Sequence, residues 1–326
     1  MSVTSPPRRS AEAASPQRGK PTAGVGGKIF SGLAHGAGIV ILVTLAAVAA
    51  FLVVEAWPAL TASPEELAEI SWFSGGSLLA YIGPLVFGTV LASVLALLLA
   101  VPVSVGIALF ISHYAPRRLA QSLGYLVDLL AAVPSVVFGL WGALWLAPIL
   151  DPFFRWLSSA LGFIPLFEGY QAPARNIMTA AVVLAVMLLP IVTAVSREVF
   201  LQTPTLHEEA SLALGATRWE MVRQAVIPFG RSGVISAAML GLGRALGETM
   251  AVLMVISPGM LYSFFLLKPG QHQTIAANIA AQFPEASGLS VSVLIATGLA
   301  LFVITFAVNF AARAIVARRK DFSGAN

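Results

Sequence analysis

The sequence predicts an all-α polytopic membrane protein with six transmembrane helices and both termini in the cytoplasm. Three observations carry that expectation. Of the 326 residues, 58% are hydrophobic and only 10% charged, with a mean hydropathy of +0.87. Soluble domains carry about a quarter charged residues, so this chain lacks the polar groups to cover a water-facing surface. The apolar residues gather in six runs, at 29–54, 80–112, 126–150, 176–196, 233–256 and 289–312. Each is long enough to cross about 30 Å of hydrocarbon as a helix. Finally, 15 of the 19 Lys and Arg fall on one side of such a topology, 3 on the other, and Arg244 lies within a run. Basic residues favour the cytoplasmic side, which sets the orientation N-in and C-in. This composition excludes a soluble enzyme and a disordered chain. The net charge of +4 follows from the one-sided bias, so lipids rather than nucleic acid are the expected partner. Without cysteine there are no disulfides and no thiolate metal sites.

Residues 1–28 are rich in Ser, Pro, Ala and Gly with five basic residues, a composition that cannot bury a core, and are expected to be a disordered cytoplasmic tail. They are too polar to be the apolar region of a cleavable signal. The first span is expected at 29–54 and an extracytoplasmic loop at 55–79, which has four Glu and no Lys or Arg. Within it, Ser63-Pro64-Glu65-Glu66 reads as the start of a short helix. Trp57, Trp72, Trp141, Trp145 and Trp156 fall near span ends, where indole rings anchor in the headgroup region. The other five spans are expected within 80–313, followed by a cytoplasmic tail at 314–326. Pro102, Pro134 and Pro190 lie inside apolar runs and mark kinks. Asp128 stands near the cytoplasmic start of the third run, in headgroup water or paired with Arg117 or Arg118.

The loop at 197–232 is the most informative polar segment. Thr205-Leu206-His207-Glu208 and Thr217-Arg218-Trp219-Glu220 both fit a capping box, with Gly215 between them where a helix end favours a left-handed residue. Pro228 is expected to end the second helix or turn the chain towards the fifth span. Two short helices around a glycine hinge suit a knob that docks on a cytoplasmic motor. They equally suit an amphipathic loop resting on headgroups.

A family resemblance decides between these. Glu209-Ala210-Ser211-x3-Gly215-x9-Ala225-Val226-Ile227-Pro228 resembles the EAA loop of ABC importer permeases, E-A-A-x3-G-x9-I-x-L-P. Ser211 replaces the second Ala, Ala225 the Ile and Ile227 the Leu, so each position stays small or apolar. The segment Gly241-Leu-Gly-Arg244-Ala-Leu-Gly-Glu248-Thr249-Met250 is similar to permeases of the phosphate importer. Val133-Pro134-Ser135-Val136-Val137-Phe138-Gly139-Leu140-Trp141-Gly142 points to their C-type, or PstC-type, subunit. The resemblance covers about residues 30–313 and implies the type I ABC importer permease fold. It implies that the 197–232 loop couples to an ATPase, with Glu209, Ala210 and Gly215 shaping the knob and Arg218 and Trp219 touching the partner. It further implies inorganic phosphate as substrate, a PstA-type permease as heterodimer partner, two PstB-type ATP-binding subunits and a PstS-type phosphate-binding protein. ATP and Mg would then be bound by the partner ATPase and not by this chain.

Other motif-like patterns carry no such weight. Gly241-x-Gly243-x3-Gly247 has the wrong spacing for a dinucleotide fingerprint, and Gly243 and Gly247 instead form a small-xxx-small face suited to helix packing. Gly27-Lys28 lacks the earlier Gly and the following Ser or Thr of a phosphate-binding loop, so no ATPase site is expected. The histidines at 35, 113, 207 and 272 show no metal spacing, and no metal site is expected. A secondary transporter is disfavoured by the scarcity of intramembrane acids and the lack of an internal repeat. A PstA-type subunit or a permease for another oxyanion is the nearer alternative. Arg244 and Glu248 are the two charges deep in a span, where each costs on the order of 3 kcal/mol. At i, i+4 they would share a helix face, as a structural ion pair or as part of an anion pathway with Thr249.

Overall fold

A computed structural model describes residues 25–320. Residues 1–24 and 321–326 lie outside the described residues, and with them most of the N-terminal tail and the end of the C-terminal one. Residues 25–28, expected in that tail, already belong to the first helix, α1 (Val25–Thr61). The chain divides into two compact units, one up to Val48 and one from Ala49. In the first, the described residues form one run of helix whose described side chains are all exposed.

Ala56 and Ala59, near the end of α1, are buried in a core with Leu67, Tyr81, Leu85, Ile275 and Val293. Helix α2 (Pro64–Ala68) starts as its sequence predicts. The Ser63 hydroxyl accepts from the Glu66 N–H, and Glu66 accepts from the Ser63 N–H at 2.8 Å. Those bonds hold the Glu66 carboxyl below its ordinary pKa.

Helix α3 (Leu78–Leu109) runs through both Pro84 and Pro102 and ends in a π turn at Phe110–Tyr114. Helix α4 (Arg117–Ala131) is separate from the next span, α5 (Ser135–Trp141) and α6 (Ala147–Leu161). The third span is therefore Ser135–Leu161, and the expected start at 126 is corrected. Residues 126–131 belong to the amphipathic α4, whose apolar side had lengthened the run. Pro134, unable to sit inside a helix without losing a hydrogen bond, separates the two. The other spans are Ile29–Thr61, Leu78–Tyr114, Ile177–Leu201, Arg218–Leu246 and Leu289–Ala311.

The span α7 (Ile177–Leu201) is the hub: 67% of its most apolar stretch is buried, about twice the 33% of the next most buried span. Its N-cap Asn176 accepts from Thr179 N–H and donates to the Leu267 carbonyl. Ala92, Ala96, Ala100, Ser104 and Ala108 on α3 recur every fourth residue and are all buried, most of them against α7. With no bulky side chain between them the two backbones approach closely. Ser104 donates to the Leu189 carbonyl at 3.3 Å. A dispersion-packed seam of this kind replaces the hydrophobic driving force that lipid does not supply.

Beyond α7 come α8 (Thr205–Ala213), α9 (Arg218–Met221) and α10 (Ile227–Leu246), then α11 (Met250–Val255), α12 (Ile275–Gln282) and α13 (Leu289–Lys320). Pro228 neither ends nor redirects the second knob helix, contrary to expectation. A π turn at Val222–Val226 joins α9 to α10 without a break. The same arrangement occurs at Gly142–Leu146, where α5 passes into α6 two residues before Pro148. Widening the helix by one residue moves the preceding carbonyl away from the proline ring, so the rod continues past it.

Candidate functional site

Two regions gather the residues singled out by the sequence. The first is a break in the fifth apolar run. Helix α10 stops at Leu246, residues 247–249 belong to no helix, and α11 begins at Met250. Arg244 and Glu248 therefore do not share one helix face, and the expected i, i+4 ion pair is absent: among the described residues, Arg244 has no carboxylate within 4.0 Å. The cause lies in Glu248 itself. Its Oε1 accepts from the Ala251 N–H at 3.2 Å, satisfying one of the free donors at the start of α11. A carboxylate is also favoured there by the helix dipole. Glu248 is buried at 8% exposure, whereas Arg244 is exposed on the same face as Leu240 and Gly247.

The two glycines do not pack against this chain. A Cβ at Gly243 would meet nothing within 4 Å, and one at Gly247 only the Gly243 carbonyl at 3.9 Å. Gly247 instead ends α10, and the packing expected of the pair is not made within the described residues. Beside the break lies a cavity of about 430 Å³ bounded by Gly247, Thr249, Ala276, Ile279, Phe283 and Leu301. The Thr249 hydroxyl donates to the Gly247 carbonyl at 3.2 Å.

Residues missed by the sequence reading hold the other end of α11. Arg175 donates from Nη2 to the Met254 carbonyl at 3.0 Å, placing a cation at the carboxyl end of the short helix. Its own carbonyl accepts from Ser257 N–H. Arg175 is one of only three basic residues on the extracytoplasmic side, a signal that was present in the charge count. The following segment folds back through buried polar groups. His272 shares a 2.6 Å hydrogen bond with the Ser263 carbonyl, and burial pushes its pKa below the ordinary value. Asn278 donates to the Tyr81 hydroxyl, and Thr89 accepts from Ile275 N–H, so α12 is fastened to α3.

The second region is the cytoplasmic knob. Gly215 has φ of +85°, the left-handed conformation expected of the hinge. The Thr217–Glu220 capping box is present. The Thr205–Glu208 box is not: Pro204 occupies the N-cap and Thr205 is already helical. Glu208 faces His113 instead, at 3.4 Å. Glu209, Ala210, Arg218 and Trp219 are all exposed, alongside Leu206 and Leu214. Beneath them Met221, Val222 and Val226 are buried with Ala108, Leu109 and Phe200, which roots α9 on the ends of α3 and α7. Asp128 lies on α4 and borders a cavity of about 560 Å³ with Arg197 and Glu198 of α7, rather than pairing with Arg117 or Arg118.

Residues 100–321 match the model of the family described as binding-protein-dependent transport system inner membrane component. A "phosphate transport system permease protein PstC 2" of Mycobacterium tuberculosis is 48% identical over 297 residues, covering 89% of this chain and 91% of that protein. PstC proteins of Mycobacterium leprae and Haemophilus influenzae are 46% and 35% identical, covering 82% and 88% of this chain and 86% and 91% of theirs. A solved structure of the MetNI methionine ABC transporter, in an inward-facing conformation, matches with a TM-score of 0.54 at 17% identity. The match covers 72% of this chain and 94% of that one, and it shows a shared fold.

Proposed function

Because the chain belongs to the family of binding-protein-dependent transport inner-membrane components, we propose that it forms half of a path for inorganic phosphate, lined by Arg244, Glu248 and Thr249. It is a multi-pass protein of the plasma membrane and a permease subunit of an ABC importer. The single observation that carries the pathway reading is the broken fifth span. It leaves one guanidinium exposed and unpaired among the described residues, on a helix face that no other element of this chain covers. An uncompensated Arg in an apolar run is costly, and a planar fork of donors matches phosphate oxygens. Glu248 is held in place by Ala251, so it does not neutralise Arg244 when the path is empty. Its second oxygen is left to accept from a P–OH group, which fully ionised sulfate lacks. Phosphate is the substrate in the names of the PstC relatives, which supports this choice of anion.

A half path needs a second half. The exposed face of α10 around Leu240 and Arg244, where a Cβ on Gly243 would meet nothing within 4 Å, suits close approach of a PstA-type permease. The knob from Thr205 to Met221 presents Glu209, Ala210, Arg218 and Trp219 outward around the Gly215 hinge, and is the surface for the PstB-type subunits. ATP and Mg are bound by those two subunits, and a PstS-type protein delivers phosphate from outside. The test is uptake by the four-component complex in proteoliposomes. Phosphate should enter only with ATP and loaded binding protein, and a large excess of sulfate inside the binding protein's tolerance should not slow it. Uptake that is independent of ATP, or sulfate carried as well as phosphate, would overturn the reading.

A further inference from the structure

We propose that His113 is a positioning residue for energy coupling: through Glu208 it ties the first coupling helix, α8, to the cytoplasmic end of α3. This rests on the reading of the chain as an ABC permease whose knob meets the ATPase. Helix α8 has no buried residue of its own. It is joined to the rest by the Pro204 turn from α7, by the Gly215 hinge to α9, and by its side chains. While α9 is rooted in a core, α8 needs another fastening if a push on the knob is to reach the spans rather than swing α8 about its hinge.

Glu208 supplies it. The His113 side chain is 8% exposed and its Nε2 lies 3.4 Å from Glu208 Oε1. It sits in the π turn at Phe110–Tyr114, where the Ser112 hydroxyl is 2.7 Å from His113 Nδ1 and 2.8 Å from the Ala108 carbonyl. That hydroxyl has a single proton. A carboxylate only accepts, so Nε2 donates to Glu208, and the Ser112 hydroxyl, between Nδ1 and the Ala108 carbonyl, ties the ring to the α3 backbone. Ala108 and Leu109 also belong to the core beneath α9, so both coupling helices converge on the same end of α3. The π turn at that point widens the helix by one residue, a feature frequent at functional sites.

The experiment uses the complete transporter in proteoliposomes and reads phosphate imported per ATP hydrolysed. His113→Ala and Glu208→Ala should each lower that ratio roughly fivefold or more while the ATPase still co-purifies. The double variant should be no worse than either single one, the signature of one shared interaction. His113→Gln, which keeps a donor near the Nε2 position, should recover part of the ratio. Normal coupling in His113→Ala, or losses that simply add in the double variant, would overturn the tie. If the wild-type complex shows no ATP-driven phosphate uptake, the permease reading itself fails, and that control is separate from the variants.

Discussion

At the scale of single residues, Gly215 shows how a local conformation sets a functional shape. Its φ of +85° is open to glycine, and a Cβ there would meet no atom within 4 Å. The cost of Gly215→Val is thus backbone strain alone, about 1–3 kcal/mol for a β-branched residue held in that region. Because α8 and α9 are otherwise separately fastened, the strain should distort the knob and leave the spans folded. We expect normal membrane insertion, loss of uptake, and ATPase activity that no longer responds to loaded binding protein. A Gly215→Val transporter that couples normally would contradict this role. Gly215 and the Thr217 box were legible in the sequence because their chemistry is local. The fate of Glu248 was not. Spacing placed it one turn from Arg244, and only the break after Leu246 turned its carboxylate to the Ala251 N–H. Thr205 misled in the same way, since Pro204 takes the N-cap and the helix begins at Thr205, one residue earlier than a Thr205 cap would allow.

At the scale of elements, hydropathy located six spans but misjudged where two of them begin. Amphipathic α4 and the third span merge in a hydropathy count, and the continuity of α9 with α10 depends on a π turn that no residue pattern announces. The seam between α3 and α7 was equally hidden. Alanines at every fourth position are visible in the sequence, but the partner that closes on them is not. The structure makes a sharp contrast available there. Ala100 is wholly buried, whereas Val103, three residues on, is 51% exposed. Ala100→Leu should destabilise the protein by about 1–3 kcal/mol through overpacking. Val103→Leu should be close to neutral. Thermal unfolding in detergent distinguishes them, and equal melting of the two variants would contradict the close-packed seam.

At the scale of the whole molecule, the distribution of 19 basic residues sets the expected orientation. The chain has no cysteine, so single introduced cysteines report sidedness against a silent background. Ser74→Cys should react with an impermeant thiol reagent from outside. Leu214→Cys, at 90% exposure on the knob, should react only after the membrane is opened. The reverse pattern would invert the topology and place the knob where no ATPase could reach it. The open face of α10, where we place the partner half of the proposed path, emerges only from the structure. The central claim is that phosphate passes Arg244 on that face. It is tested most directly by radiolabelled phosphate uptake into proteoliposomes holding the complete transporter with Arg244→Gln. The account predicts that the complex assembles, retains its ATPase subunits and imports no phosphate, and wild-type uptake by that variant would contradict it.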